Sequence, residues 1–340
     1  GVIQGNKTGT AVIEATVVFR GETYRPDPVT VSVEASDKKA LTIWTEEERA
    51  NARENIEKYS WAAEASKGYI DEAERYVKII DTLYEMVVAE GLPRYYFVGE
   101  ALDPERFYCR YCKTNIAAKY GLYSWIVDPI NDPWKIKCPE CRRRFPSNDF
   151  GSFYELGKDE NGIFNIELAH KRNDELIAKG EPGYLVNVLY PEKGEGWGVD
   201  DGFGYFPGNV YDNGVVERHN YIAYYLHEGL WHGGVIDGAL RAFMYAYIYT
   251  GDPKYGRAGA ILLDRVADFY PGFDWHRWRT FRGDGYKGKI LDIVWENALA
   301  QDLARAYDAF FPMFEDPEVI SFLSEKAKKY NLENPKDCAA

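Results

Sequence analysis

The sequence predicts a mainly α protein: an incomplete α/α toroid or solenoid of helical hairpins, interrupted by a cysteine-rich insertion and preceded by a β-hairpin. Three observations carry this expectation. From about residue 45 onward, apolar residues recur at i, i+3, i+4 and i+7 in one segment after another. Two C-x-x-C pairs, in FYCRYCKTN and CPECRRRFPSNDF, stand in a stretch full of turn formers. The first 36 residues alternate apolar and polar side chains with a period of two.

The elements follow in chain order. TAVIEATVVFRGETY and PVTVSVE read as strands joined at the turn RGET. Residues 1–36 are too short for a domain and are read as the last hairpin of an Ig-like β-sandwich module. TEEERANARENIEKY is a capping box, with Thr45 as N-cap and Glu48 reaching back to it. A second helix is expected from about Trp61 to Glu90, stopped by the breaker Gly91–Pro93. Residues 105–165 hold the cysteine insertion within a helical domain of residues 40–335. The Gly-rich, acidic and aromatic stretch 191–218 is longer than most connections in a compact protein, which marks it as functional. VIDGALRAFMYAYIYTGD and YGRAGAILLDRVADFYPGF form an αα-hairpin across Gly251–Asp252–Pro253. KILDIVWENALAQDLARAYDAFF and PEVISFLSEKAKKYN complete the helices, and no strict repeat relates them.

Composition narrows the function. The 340 residues are 46% hydrophobic and 28% charged, which excludes a largely disordered chain. The net charge of −13 opposes general nucleic-acid binding. No apolar run reaches the ~20 residues needed to span a bilayer, and no signal peptide is visible. The chain opens on Gly1 rather than Met, so it reads as excised from a longer protein. Aromatic residues make up 16%, with 27 Tyr, 17 Phe and 9 Trp. They suit either a carbohydrate cleft, where rings stack on sugar faces, or the packing of a large helical core.

Cys109, Cys112, Cys138 and Cys141 are expected to bind one structural Zn²⁺ in a zinc-ribbon-like arrangement, leaving Cys338 apart. A disulfide across two intervening residues is strained, whereas a knuckle presents both sulfurs to one metal. The 25-residue spacer implies a sizeable loop between knuckles. Four thiolates leave no open position for water, so this metal is not a catalytic one.

Two further stretches suggest a ligand site. WHRWRTFRGDGYKGK places Arg277, Arg279 and Arg282 among Trp275 and Trp278. In an acidic chain such a concentration suits an anion that also offers stacking faces, the alternative being a solvated loop anchored by its tryptophans. ERHNYIAYYLHEGLWHGG gathers His219, His227 and His232 beside Tyr224, with Trp231 next to them. H-E-x-x-H is not satisfied, and on an α-helix the five-residue step from His227 to His232 places the rings on different faces. A third helix offers Trp295, Glu296, Asn297 and Arg305, a set that an ordinary amphipathic helix would also show. No P-loop, G-x-S-x-G or dinucleotide fingerprint is present.

Taken together, WTEEERANARENIEKYSWAAE, CPECRRRFPSNDFGSFY, GWGVDDGFGY, IAYYLHEGLW, YIYTGDPKYGRAGAILLDRVADFYP and GKILDIVWENALAQDLARAYDAFF resemble large secreted bacterial proteins of the heparinase II/III-like class. The resemblance spans roughly residues 40–330, and the second knuckle with FPSNDF is its most specific part. It implies a polysaccharide lyase whose α/α toroid precedes antiparallel β-sheet domains. Those domains would lie beyond this chain, as would part of the toroid, where the family's catalytic Tyr and neutralising His or Asn generally lie. It also implies a secreted or cell-surface location, an acidic polysaccharide partner, and β-elimination at a uronic acid. That chemistry needs a cation or hydrogen-bond donor on the carboxylate and a Tyr or His to move the proton. Tyr224, His227 and His232 are the candidates for catalysis. Arg277, Arg279, Arg282, Trp275, Trp278 and Trp231 are the candidates for substrate binding. Two other readings stand beside this one: a glycoside hydrolase using carboxylates from Asp200, Asp201 and Glu296, and a polysaccharide-binding fragment without turnover.

Overall fold

The computed structural model describes residues 9–13, 16–19, 22–25, 28–33, 38, 40–87, 92–98, 108–203, 209–210, 216–217, 219–273, 289–291 and 293–329. It divides into two compact units between Leu41 and Thr42. In the first, β1 (Gly9–Ile13) pairs antiparallel with β4 (Val29–Val33), and β2 (Val17–Phe19) with β3 (Glu22–Tyr24). Phe19 faces Glu22 in the register, so Glu22 and Thr23 of the expected turn lie in β3.

The second unit is mainly helical. Helix α1 (Glu46–Lys58) starts at the expected capping box: Glu48 N–H donates to Thr45 Oγ1 at 3.3 Å, and Thr45 N–H donates to Glu48 Oε2 at 2.9 Å. The next helix differs from the expected single span. It is α2 (Ser60–Val77), broken at Lys78–Ile79, followed by the short α3 (Ile80–Met86). The apolar period runs on through the break, which is why sequence pattern alone joins the two.

Helices α8 (Val235–Thr250) and α9 (Pro253–Phe269) form the αα-hairpin. Gly251 caps α8 in the left-handed conformation at φ 70°, which glycine adopts without steric cost. Asp252 caps α9 by accepting from Lys254 N–H at 3.0 Å, and Pro253 takes the first turn. Helix α8 is the central one, packed against α1, α2, α9 and α10 (Ile293–Phe310), and α11 (Pro317–Lys329) packs on α9. Its buried residues include Ile236, Leu240, Phe243, Met244 and Tyr247.

One carboxylate ties the entry of the helical unit to its far end. Asp308 on α10 accepts from Thr42 N–H and Oγ1 and from the Ile43 and Trp44 amides, all at 2.8–2.9 Å. Arg49 continues the tie, donating to Trp44 O and Ala309 O at 2.9 Å.

The cysteine insertion is built from α4 (Ile116–Tyr120), a small antiparallel sheet and α5 (Phe150–Leu156), with α6 (Ile166–Ala178) packed on α5. The sheet runs β5–β6–β7 (Ile126–Val127, Ile136–Lys137, Arg144–Phe145). In the 191–218 stretch, β8 (Asn209–Val210) pairs with β9 (Val216–Glu217); residues 204–208, 211–215 and 218 lie outside the described ones.

Asp308→Ala should lower stability by roughly 3 kcal/mol, since hydrogen bonds to a charged group contribute about 1.5–3 kcal/mol each and are not additive. Urea unfolding checks this, and a loss below about 0.5 kcal/mol would show that the carboxylate is not a tie.

Candidate functional site

Two side-chain clusters in the helical unit have chemistry to offer. In the first, Cys109, Cys112, Cys138 and Cys141 converge from two hairpin knuckles of the same build. In one, Lys113 N–H donates to Cys109 O and Cys109 N–H to Thr114 O; in the other, Arg142 N–H donates to Cys138 O and Cys138 N–H to Arg143 O. Lys113 and Arg142 hold the left-handed backbone these turns require, at φ 60° and 62°, at a cost of about 1–2 kcal/mol for each non-glycine residue. None of the four thiols forms a disulfide. The Cys109–Cys141 and Cys112–Cys138 sulfurs lie 3.7 and 3.9 Å apart. Sulfurs about 2.3 Å from one tetrahedral ion are about 3.8 Å from each other, so the residues fit such a metal. The hydrogen bond between Cys109 and Cys138 draws the Cys138 thiol down and pushes the Cys109 thiol up, while burial raises Cys141.

The second cluster lies where α7 (Tyr221–Tyr224) opens into a π-helical turn, Tyr225–Trp231. Its amides bond five residues back: His232 N–H donates to His227 O at 2.7 Å. A five-residue step closes one π-turn, so the ring centroids of His227 and His232 come within 5.5 Å. The expectation that this step separates the two rings rested on α-helical geometry, and the π-turn corrects it.

Glu228 sits between the two rings. Its Oε1 is 2.8 Å from His227 Nδ1 and 3.0 Å from His232 Nδ1. With the carboxylate ionised, each ring carries its proton on Nδ1 and points Nε2 away from Glu228, that of His227 lying buried. The same three donors lie close enough together for a metal. At 2.8 and 3.0 Å the two Nδ1–Oε1 contacts are hydrogen bonds, so the three side chains form a His–Glu–His relay as they stand.

Its electrostatics follow from burial. His227 is 0% exposed, and burial lowers its pKa against the pull of Glu228. His232 is partly exposed, and the Glu228 hydrogen bond raises its pKa. Burial works against ionisation of Glu228, but the bonds from both histidines keep its pKa below the usual range. Behind His232, burial and then the charge of Asp302 push Asp237 up to about 6.

Aromatic rings wall the relay. Trp295 on α10 meets His227 at 5.6 Å and His232 at 5.3 Å between centroids. Tyr96 lies 5.8 Å from His227, and Tyr123, from the insertion, 5.6 Å from His232. Tyr123 is 45% exposed, and partial burial and the Glu228 charge raise the pKa of its hydroxyl. Nothing in the sequence marks Tyr96 or Tyr123, because both arrive by long-range packing.

The remaining candidates fall elsewhere. Tyr224 is 0% exposed; burial and then Glu228 push its pKa far up, and its hydroxyl closes no well-formed hydrogen bond among the described residues. Trp231 is 1% exposed and packs edge-on against Phe273, so its ring is core and offers no stacking face. Arg277, Arg279, Arg282, Trp275 and Trp278 lie outside the described residues. The residues flanking them are placed: Arg94 donates to Lys289 O and Ile290 O and lies over the Phe273 ring. Asp200 is buried and Asp201 exposed, each accepting from a backbone amide two residues on. Glu296 accepts from Tyr270 Oη, Ile290 N–H and Leu291 N–H at 2.6–3.0 Å, so both its oxygens hold the chain in place.

Comparison with protein-family models, curated proteins and solved structures finds no match.

In an NMR titration, His232 should titrate above the ordinary histidine value of about 6.5 and His227 below it. Glu228→Gln should bring His232 down. Because its folded-state pKa is raised, His232 contributes stability that is full below about pH 6.5 and is lost as pH rises through its folded value. If both histidines titrate alike in the two proteins, no relay exists.

Proposed function

We propose that this chain acts in a polysaccharide lyase resembling heparinase II/III, cleaving an acidic, uronate-containing polysaccharide by β-elimination. The observation that carries the reading is the relay itself: a carboxylate holds two histidines by Nδ1, beside a half-exposed tyrosine and a tryptophan. Elimination moves one proton off C5 of the uronate and one onto the departing O4. His232, made more basic by Glu228, takes the C5 proton at Nε2. The electron pair forms the C4–C5 double bond as the C4–O4 bond breaks. Tyr123, whose hydroxyl keeps its proton at neutral pH, gives it to O4. Tyr224 then supports the turn rather than acting on substrate.

The uronate carboxylate must be neutralised, because a second negative charge would otherwise develop beside it. Arg277, Arg279 and Arg282 are the proposed donors. The support for them is that Phe273 and Lys289, which flank their segment, adjoin Trp231 and Arg94. In the same reading the helical hairpins belong to an α/α toroid. The four cysteines hold a structural Zn²⁺ in a zinc-ribbon-like module, and the protein works outside the cell or on its surface. A glycoside hydrolase is disfavoured because Glu296 is committed to three donors.

Turnover of uronate-rich polysaccharides should generate the ultraviolet absorbance of an unsaturated uronate. His232→Ala should lower kcat by about 10²–10⁴-fold, the usual range for a general base. Binding without any absorbance change would replace the lyase by a binding module. Metal analysis should find one zinc per chain, and Cys138→Ser should release it and lower the melting temperature. Disulfides in place of zinc would reject that part of the reading.

A further inference from the structure

The four-cysteine module carries a cationic surface that the histidine relay does not use. Between Tyr108 and Phe145 the chain has eight basic and three acidic side chains, in a protein of net charge −13. Some of the cations are already paired: Arg144 and Lys137 with Asp132 at 3.0 and 3.4 Å, and Lys119 with Glu140. A divalent ion on four thiolates leaves a charge of about −2, less than the excess of cations. Neutralising the metal centre therefore does not account for them all.

Lys135 donates to the Pro146 and Asn148 carbonyls, while Arg143, and Lys193 from a later segment, stand on aromatic rings. Tyr111, Tyr190 and Trp197 form a contiguous set, with centroids 5.3–6.1 Å apart. Arg143 lies over Tyr111 at 4.6 Å and over Tyr190 at 5.7 Å, and donates to Tyr111 Oη at 3.3 Å. Lys193 lies over Tyr111 at 5.3 Å and Arg110 over Trp197 at 5.9 Å. Arg143 and Lys193 are exposed, and neither is ion-paired with a carboxylate among the described residues. Glu192 and Glu195, near Lys193 in sequence, do not pair with it. Arg142 adds an exposed guanidinium on left-handed backbone.

We propose that Arg143 and Lys193, mounted on Tyr111 and Tyr190, together with the neighbouring Arg142, bind the carboxylates or sulfates of an acidic glycan chain. The choice of glycan rests on the lyase reading above. Stacking fixes the orientation of Arg143 and Lys193, and guanidinium forks suit planar carboxylate and tetrahedral sulfate. The ring faces are already covered by cations and Tyr190 is buried, so unstacked bases find no open platform. A protein of net charge −13 repels a polyanion as a whole, so contact needs places where cations cluster, as they do here.

The test is calorimetry on the full chain with its metal. The ligands are a uronate-rich oligosaccharide, its carboxyl-reduced neutral counterpart, and single-stranded DNA of matched charge. The variant combines Arg142→Gly, Arg143→Gln and Lys193→Gln; glycine adopts the left-handed backbone at 142 freely. The wild type should bind the uronate chain and not the reduced one. The variant should bind it at least about tenfold more weakly, the scale of one lost charged hydrogen bond, and the difference should shrink at high salt. If the triple variant melts early, Arg143→Gln alone should still weaken binding severalfold. Unchanged affinity in a folded variant overturns the proposal, and so does tighter binding of DNA than of the glycan. Binding that depends on these cations, with no turnover by the wild type, removes the lyase and leaves this surface standing. Turnover with unchanged binding does the reverse.

Discussion

The packing of the cysteine insertion against residues 221–231 is the contact on which the candidate site depends. Phe145 stacks on Tyr221 at 4.9 Å and 16°, and Trp134 on Tyr225 at 5.4 Å and 27°. Trp125 adds an edge contact to Tyr221. These rings belong to one continuous core with the helices behind them. Aromatic pairs of this kind contribute about 0.5–1.5 kcal/mol each beyond their burial. A π-turn is a poor structure by itself, since its hydrogen bonds are fewer and looser than those of an α-helix. Here it is clamped from outside.

The clamp is tight enough to dictate glycine. A Cβ on Gly229 would stand 2.6 Å from Val127 Cγ1 and 3.1 Å from Pro129 Cγ, so the β5 region can approach only a bare backbone. A Cβ on Gly234 would meet the Gly229 carbonyl group at 2.5 Å, so the chain leaving the π-turn folds back against the second half of that turn. The π-turn that spaces His227 and His232 is thus held by packing outside the histidines as well as by the His232 N–H bond to His227 O. Local propensity does not choose the π-turn; long-range packing imposes it.

This explains which features were legible in the sequence. The capping box at Thr45, the turn at Gly251–Asp252–Pro253 and the mainly helical character rest on local rules, and the structure has them. The four cysteines were legible as a set because ligand spacing is itself a local signal. The break at Lys78–Ile79 was not, since an apolar face continues across it. The relay was half legible: His227 and His232 stood out by composition, but α-helical geometry set them apart. Trp231 misled for a related reason. A tryptophan beside histidines reads as a platform, yet the wider π-turn rotates it into the core against Phe273. Tyr96 and Tyr123 left no trace because they reach the site from segments more than 100 residues earlier in the chain.

The four-cysteine module and the relay are therefore parts of one mechanical arrangement. The cysteines fix two knuckles whose intervening loop delivers Trp125, Val127, Pro129 and Trp134 to the π-turn and Tyr123 to His232. A hydrophobic cluster by itself could hold that loop in several near-equivalent ways, because apolar contacts are not directional. Four thiolates on one tetrahedral ion allow few, and closing a long loop removes much of the freedom of the unfolded chain. A metal that does no chemistry would then still set the distance between the Tyr123 ring and His232. Its loss would loosen the partly exposed Tyr123–His232 side of the relay before the His227–Glu228 contact, where His227 is fully buried.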